Sequence, residues 1–285
     1  MESASVFRSA TYRTEPAWAE TLRLLVFTDL DGTLLDHATY AHDRAKPALR
    51  ALRALDVPLI LASSKTGAEI ARLHDELQLG DCPAIVENGA GLYTPGGPSS
   101  DDNSDYLRIR QALSDLPPDL SRFFQGFGDM SDKDVAATTG LPLDQARLAR
   151  MRCHSEPGLW SGTDADLSRF LDALKTRGIA ARRGGRFLTL SFGRTKADAM
   201  KELTDRLHAD VTIALGDAPN DAEMLAAADH GVVVRNDHAP PMPEFAGEAT
   251  GRIRRTTLPG PAGWNAAILE LIEDLGLTRE QTNHG

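Results

Sequence analysis

The run Leu24-Leu25-Val26-Phe27 ends in Asp29-Leu30-Asp31-Gly32-Thr33, and this junction restricts the fold more than any other stretch of the chain. Consecutive apolar residues without alternation read as a strand buried on both faces, as in the middle of a parallel sheet. Two carboxylates then stand at its end. Residues i and i+2 of an extended segment point the same way, so Asp29 and Asp31 are expected to converge on one spot. They repel each other there, and both are costly to hold beside an apolar interior. Something cationic has to offset them.

Bulk composition narrows the partners. With 285 residues, 41% hydrophobic and 25% charged, the chain is long enough for one or two domains and is not of disordered type. A formal charge of −10 and the lack of a Lys/Arg-rich run exclude general nucleic-acid binding. An anionic substrate therefore needs a locally positive pocket. No apolar run is long enough to span a bilayer, and the first twenty residues contain no signal-peptide core, so no membrane partner is expected and the cytoplasm is the default compartment. Cys82 and Cys153, neither in a C-x-x-C, read as reduced thiols rather than a zinc site.

Strand and helix signals alternate along the chain, which points to βαβ units. Residues 22–28, Pro58–Ala62, Ala84–Val86, Val211–Leu215 and Gly231–Arg235 read as buried strands. Helices are expected from Pro47, after the Thr66-x-x-Glu69 and Thr195-x-x-Asp198 capping boxes, over Asp164–Arg177, and around Trp264, Ile268, Leu271 and Leu275. The polar stretch Thr94–Asp105 marks a domain transition. Beyond it, Leu188, Leu190 and Phe192 alternate with Thr189 and Ser191 as in a half-buried, antiparallel strand. The expected architecture is α/β: a Rossmann-like parallel-sheet core over 21–90 and 191–285, an inserted α+β cap over 91–190, and an N-terminal extension over 1–20.

Ligand sites in open α/β sheets lie at the carboxyl ends of strands. Besides Asp29 and Asp31, those ends carry Ser63-Ser64-Lys65 and Gly216-Asp217, with Asn220 and Asp221 on the following turn, while Lys196 opens a helix. Taken singly, each is an ordinary cap, solvated charge or acidic turn. Together they are chemically complementary: acids, hydroxyls and a cation at one sheet edge.

These segments resemble the four motifs of the haloacid dehalogenase-like phosphohydrolases: D-x-D-G-T at Asp29–Thr33, the strand-end Ser63, Lys196, and G-D-x-x-N-D at Gly216–Asp221. The insert between the second and third motifs is similar to the subgroup with a large α/β cap. The resemblance implies Asp29 as nucleophile through an aspartyl-phosphate and Asp31 as general acid and base. It implies Mg²⁺ held by Asp29, the Asp31 backbone carbonyl and Asp217, with Asp221 behind them. Ser63 and Asn220 would bind the phosphate, with Ser64 and Thr33 supporting, while Lys196 neutralises it.

Further stretches, SSKT at Ser63–Thr66, IVENGA at Ile85–Ala90, SEP at Ser155–Pro157, GRF at Gly185–Phe187, GDAPNDAEML at Gly216–Leu225 and GPAGW at Gly260–Trp264, resemble the mannosyl-3-phosphoglycerate phosphatases. The likeness implies hydrolysis of mannosyl-3-phosphoglycerate to mannosylglycerate, a compatible solute, by a monomer or homodimer. Arg152 and Arg186 are candidates for the glycerate carboxylate, Ser155, Glu156, Glu87 and Asn88 for sugar hydroxyls, and Lys65 for either anion. Cys153-His154 stands where that group carries an acidic-aromatic or similar pair. Glucosyl-3-phosphoglycerate, a broader set of sugar phosphates, and a phospho-ligand binding module without turnover stay open as alternatives.

Overall fold

The computed structural model describes residues 22–96 and 103–277. The expected N-terminal extension and the tail from 278 lie outside the described residues, as does 97–102 within the Gly/Pro/Ser-rich stretch. In chain order the strands are β1 (Leu24–Thr28), β2 (Leu59–Leu61), β3 (Ala84–Val86), β4 (Gly91–Tyr93), β5 (Phe124–Gly126), β6 (Glu156–Trp160), β7 (Ala180–Gly184), β8 (Phe187–Ser191), β9 (Val211–Gly216), β10 (His230–Arg235) and β11 (Ile253–Pro259). The helices are α1 (Lys46–Ala54), α2 (Gly67–Glu76), α3 (Ser104–Ser114), α4 (Pro118–Ser121), α5 (Asp132–Thr139), α6 (Leu143–Ala149), α7 (Asp164–Lys175), α8 (Lys196–Arg206), α9 (Ala222–Ala227) and α10 (Gly260–Asp274).

Five strands form one parallel sheet in the order β11-β10-β9-β1-β2. β1 is an interior strand between β9 and β2, and its apolar run serves two cores at once. Leu24 and Val26 pack with α1, α2 and α10, whereas Leu25 and Phe27 pack with α8 and α9. That two-sided burial is what the unbroken apolar run demanded. β3 touches the edge of this sheet through one bridge, Ala62 to Ile85, and otherwise pairs antiparallel with β4. β11 was not foreseen: Ile253-Arg254-Arg255-Thr256 has a single apolar residue, because an edge strand exposes most of its length.

The inserted module is a second sheet, antiparallel, in the order β5-β6-β8-β7. Leu188 and Leu190 face the core shared with α3 and α7, as their alternation implied. Leu159 and Phe187 pack on the other side, against the cluster that holds α5 and α6. β5, β6 and α3–α6 carried weak signals in the sequence; β6 reads Glu-Pro-Gly-Leu-Trp, with two residues that usually argue against a strand.

α10 ties the sheet to the end of β1. Trp264 is fully buried and its indole N–H donates to Thr28 Oγ1 at 2.9 Å, while the Thr28 hydroxyl donates to the Asp29 carbonyl at 2.7 Å. The chain of donors fixes the backbone on which Asp29 is mounted. Trp264→Ala is expected to destabilise the fold by about 3–5 kcal/mol, and Trp264→Phe, which keeps most of the bulk but strands the hydroxyl, by about 1–3 kcal/mol; urea unfolding measures both.

Candidate active site

The site assembles where β1, β2 and β9 end. Asp29 N–H donates to the Leu215 carbonyl at 2.8 Å, which stitches the residue after β1 to the end of β9. Gly32 then turns with a φ of 88°, and a Cβ there would run into the Asn236 side chain and the Asp217 carboxylate. Only glycine permits that approach. Thr33 Oγ1 donates to Asp217 Oδ1 at 2.8 Å, and Asn236 Nδ2 donates to Asp217 Oδ2 at 2.7 Å. Asp217 is thus held from both sides.

Lys196 is the first residue of α8, a position where the helix dipole disfavours a cation. Its ammonium is drawn instead into a buried acidic pocket. Nζ donates to Asp29 Oδ1 at 2.6 Å and to Asp221 Oδ1 at 2.7 Å. The other Asp221 oxygen accepts the Asp217 and Ala218 backbone N–H groups, both at 3.2 Å. Oxygens of Asp29, Asp217 and Asp221 lie within 4.8 Å of one another, all on buried residues. Burial pushes the Asp29 carboxyl well above the ordinary range; Lys196 pulls it back, while Asp221 and Asp217 add to the rise. Burial likewise raises Asp217 against its hydrogen bonds from Asn236 and Thr33. Burial works against the charge on Lys196, but Asp221 and Asp29 together raise its pKa above the usual lysine value.

Three carboxylates around one ammonium leave a deficit of positive charge in a buried space. A divalent cation fits that deficit, and a hard, oxygen-only donor set suits Mg²⁺. Within this triad Asp221 accepts from the Lys196 ammonium and two backbone amides, whereas Asp217 accepts only from the neutral Thr33 hydroxyl and Asn236 amide, which leave its charge unbalanced.

Asp31 has a different partner from the one its spacing suggested. It does not converge with Asp29 on Lys196: its Oδ2 accepts from Lys65 Nζ at 2.8 Å, and its Oδ1 is buried without a hydrogen bond. Burial lowers and Asp31 raises the pKa of Lys65, with a net rise. Each acid of the D-x-D pair therefore owns a separate lysine. Ser63 is buried at the end of β2, and its Oγ accepts from Lys65 N–H at 3.2 Å. Asn220 is exposed and donates to Asn88 Oδ1 at 3.3 Å. The Asn88-Gly89 turn presses on the start of α8, where a Cβ on Gly89 would collide with the backbone of Thr195 and Lys196.

The structure distributes the expected sugar- and carboxylate-reading residues differently from the sequence reading. Glu87 is buried and its carboxylate accepts from Cys153 N–H at 2.9 Å, His154 N–H at 3.2 Å and Ser155 Oγ at 2.6 Å. Glu87 and Ser155 thus satisfy each other across the join between sheet and insert. Arg152 donates to the Ser64 and Ala149 carbonyls, both at 3.0 Å, rather than offering an open fork. Glu156 is fully buried within the insert. It pairs across the sheet with Leu190, on the side that packs on α3, and its carboxylate meets Arg110 at 3.1 Å and Gly128 N–H at 2.8 Å. Arg186, in the turn between β7 and β8, donates to the Thr138 carbonyl at 2.5 Å, at the far end of α5. The Ser-Glu-Pro and Gly-Arg-Phe signatures could not reveal which face of a strand each side chain takes. Asn236 escaped the sequence reading because it follows β10 as one more polar residue in a turn; only the contact with Asp217 marks it.

Known proteins resemble the chain in both sequence and fold. The sequence matches the haloacid dehalogenase-like hydrolase family over residues 26–112 and 168–240, more than half of the chain. The chain belongs to that family. It is 33% identical to the glucosyl-3-phosphoglycerate/mannosyl-3-phosphoglycerate phosphatase of Methanococcoides burtonii over 88% of this chain and 98% of that protein. Together these make it a phosphoric monoester hydrolase, and the binding-module alternative is set aside. The fold is similar to that of the sucrose-phosphatase of Synechocystis sp. PCC6803, with a TM-score of 0.59, 19% identity, and coverage of 90% of this chain and 98% of that one. It is also similar to a sugar phosphatase of HAD subclass IIB, with a TM-score of 0.56, 16% identity, and coverage of 89% and 99%. No helix among the described residues is long and apolar enough to cross a membrane.

Removing the ammonium tests the electrostatics. Lys196→Met strands buried Asp29 and Asp221 and is expected to cost about 3–5 kcal/mol in urea unfolding of the metal-free protein at neutral pH. The cost should shrink toward pH 5. An acid whose folded pKa lies above its unfolded value binds more protons when folded, so stability falls as pH rises from the unfolded toward the folded pKa. Asp29, already raised, rises further without Lys196, and the variant's deficit therefore widens from pH 5 to pH 8.

Proposed function

We propose that this chain hydrolyses mannosyl-3-phosphoglycerate to mannosylglycerate and phosphate, with the glucosyl epimer as the competing substrate. The observation that carries the phosphatase chemistry is the buried junction of Asp29, Asp217 and Lys196, with Asp31 beside it on Lys65. The 33% identical relative, which bears both glycosyl-3-phosphoglycerates in its name, supports the substrate class. Epimeric sugars differ by the placing of one hydroxyl, and specificity between them rests on a few hydrogen bonds.

Catalysis of phosphoryl transfer is mainly positioning and charge neutralisation. Asp29 attacks phosphorus, and the bond to the leaving glycerate oxygen breaks as the aspartyl-phosphate forms. Asp31 gives its proton to that oxygen, then takes one from the water that attacks the phosphoryl group and releases Asp29. Lys65 keeps Asp31 in place between these steps. Ser63 and Asn220 hold phosphate oxygens, with Ser64 next to Ser63 at the same strand end; Thr33 supports the site by holding Asp217, and Lys196 balances the charge of the phosphoryl group carried by Asp29. Asp29, the Asp31 backbone carbonyl and Asp217 would hold Mg²⁺, which when bound shields the phosphate and stabilises its developing charge. The cap, taken as residues 91–190, excludes water from the acyl phosphate and moves to admit substrate. Arg152, Glu87 and Ser155 serve the cap's seat on the core rather than the sugar.

Asp29→Asn is expected to abolish turnover, by at least about 10³-fold, without loss of the folded state by circular dichroism. Phosphate release across mannosyl- and glucosyl-3-phosphoglycerate and simple hexose phosphates tests the substrate; equal rates on the hexose phosphates would count against the specialised reading. Calorimetric titration with Mg²⁺ tests the metal site independently of turnover. Asn236→Ala, which frees one side of Asp217, should weaken Mg²⁺ by about 10–100-fold, and Asp217→Asn should weaken it further.

A further inference from the structure

The loop that follows the D-x-D-G-T turn holds Tyr40 in an unusual backbone conformation. Asp36 Oδ1 accepts from Ala38 N–H at 3.2 Å, Thr39 N–H at 2.9 Å and Thr39 Oγ1 at 2.8 Å. Asp36 N–H donates to the Ala41 carbonyl and Tyr40 N–H to the Asp36 carbonyl, both at 2.9 Å. The loop is closed on itself, and it holds Tyr40 at a φ of 57° with half of the residue exposed. A bulky side chain in the left-handed region is rare, and such strain gathers at functional positions. The cost is not offset by burying the ring in a core. What the ring does meet is Lys65, whose Nζ lies 5.4 Å from its centroid while bonded to Asp31.

The direction of the reaction locates the organic part of the substrate. Phosphorus must sit against Asp29, and the oxygen that leaves must sit against Asp31. The group attached to that oxygen therefore lies near Asp31, and Asp31 is joined through Lys65 to the exposed Tyr40 ring. We propose that Tyr40 is a specificity-determining residue of the core: its ring is a platform for the apolar C–H face of the glycosyl group, while Lys65 at its edge meets the glycerate carboxylate. Aromatic rings give sugars apolar contact that hydrogen bonds alone do not, and a fixed loop lowers the entropy lost on binding. The ring belongs to the core rather than the cap, so it holds its place relative to Asp31 whichever way the cap moves. This inference rests on the reading of Asp31 as the acid of the leaving oxygen.

The test compares wild type, Tyr40→Phe and Tyr40→Ala on two esters: mannosyl-3-phosphoglycerate and 3-phosphoglycerate, which keeps the phosphate and carboxylate but has no sugar. Tyr40→Ala should lower the ratio of kcat/KM between the glycosylated and the bare ester by about tenfold, mainly through KM. Tyr40→Phe, which keeps the ring, should hold the ratio within about twofold of wild type. Equal losses on both esters would mean that the ring acts only through Lys65, and no loss on either would make it a bystander; each result overturns the platform. A wild-type enzyme with no preference for the glycosylated ester would refute the substrate reading instead. The same variants on mannose 6-phosphate and glycerol 3-phosphate then decide the platform alone, by the same tenfold fall or its absence.

Discussion

One buried ammonium organises this molecule. Lys196 joins Asp29, at the end of β1, to Asp221, which in turn holds the backbone of Asp217 after the neighbouring strand. Two loops that would otherwise repel are thereby joined by a side chain from a third segment. The interaction is expensive to assemble, because all three groups leave water, and it is stable only while each has a partner. Such a site is set by the sheet beneath it. β1 and β9 are locked in register, Trp264 fixes Thr28, and α8 begins where its first residue reaches both acids.

How much of this was legible in the sequence follows from the range of each interaction. The central strands were readable because burial on both faces writes itself as an apolar run, and the α2 and α8 starts because Thr66–Glu69 and Thr195–Asp198 close over three residues. The D-x-D, Ser63, Lys196 and Gly216–Asp221 segments were readable as complementary chemistry at strand ends. The partner of Asp31 was not legible: its spacing from Asp29 is local, but the lysine that claims it comes from the end of β2. The insert was the least legible part. Glu156 and Arg186 sit in short motifs whose composition suits sugar binding, yet strand parity sends Glu156 to Arg110 on the α3 side. Parity cannot be counted in a strand that begins Glu-Pro-Gly.

The two lysines divide the chemistry. Lys196 is buried among acids and has no freedom to follow a substrate. Lys65 keeps part of its side chain in contact with solvent, beside an exposed ring. The first is suited to balancing charge at phosphorus and the second to meeting what phosphorus is attached to.

Glu87 has a role that its sequence context did not suggest. Its carboxylate is closed off by two backbone amides and a hydroxyl from residues 153–155, and the turn that carries it leans on the first residues of α8. Swinging the insert outward strips those donors away and leaves an anion bare, so solvent has to flow in with the motion. Any parting of that seam would have to supply water to one carboxylate in place of three hydrogen bonds.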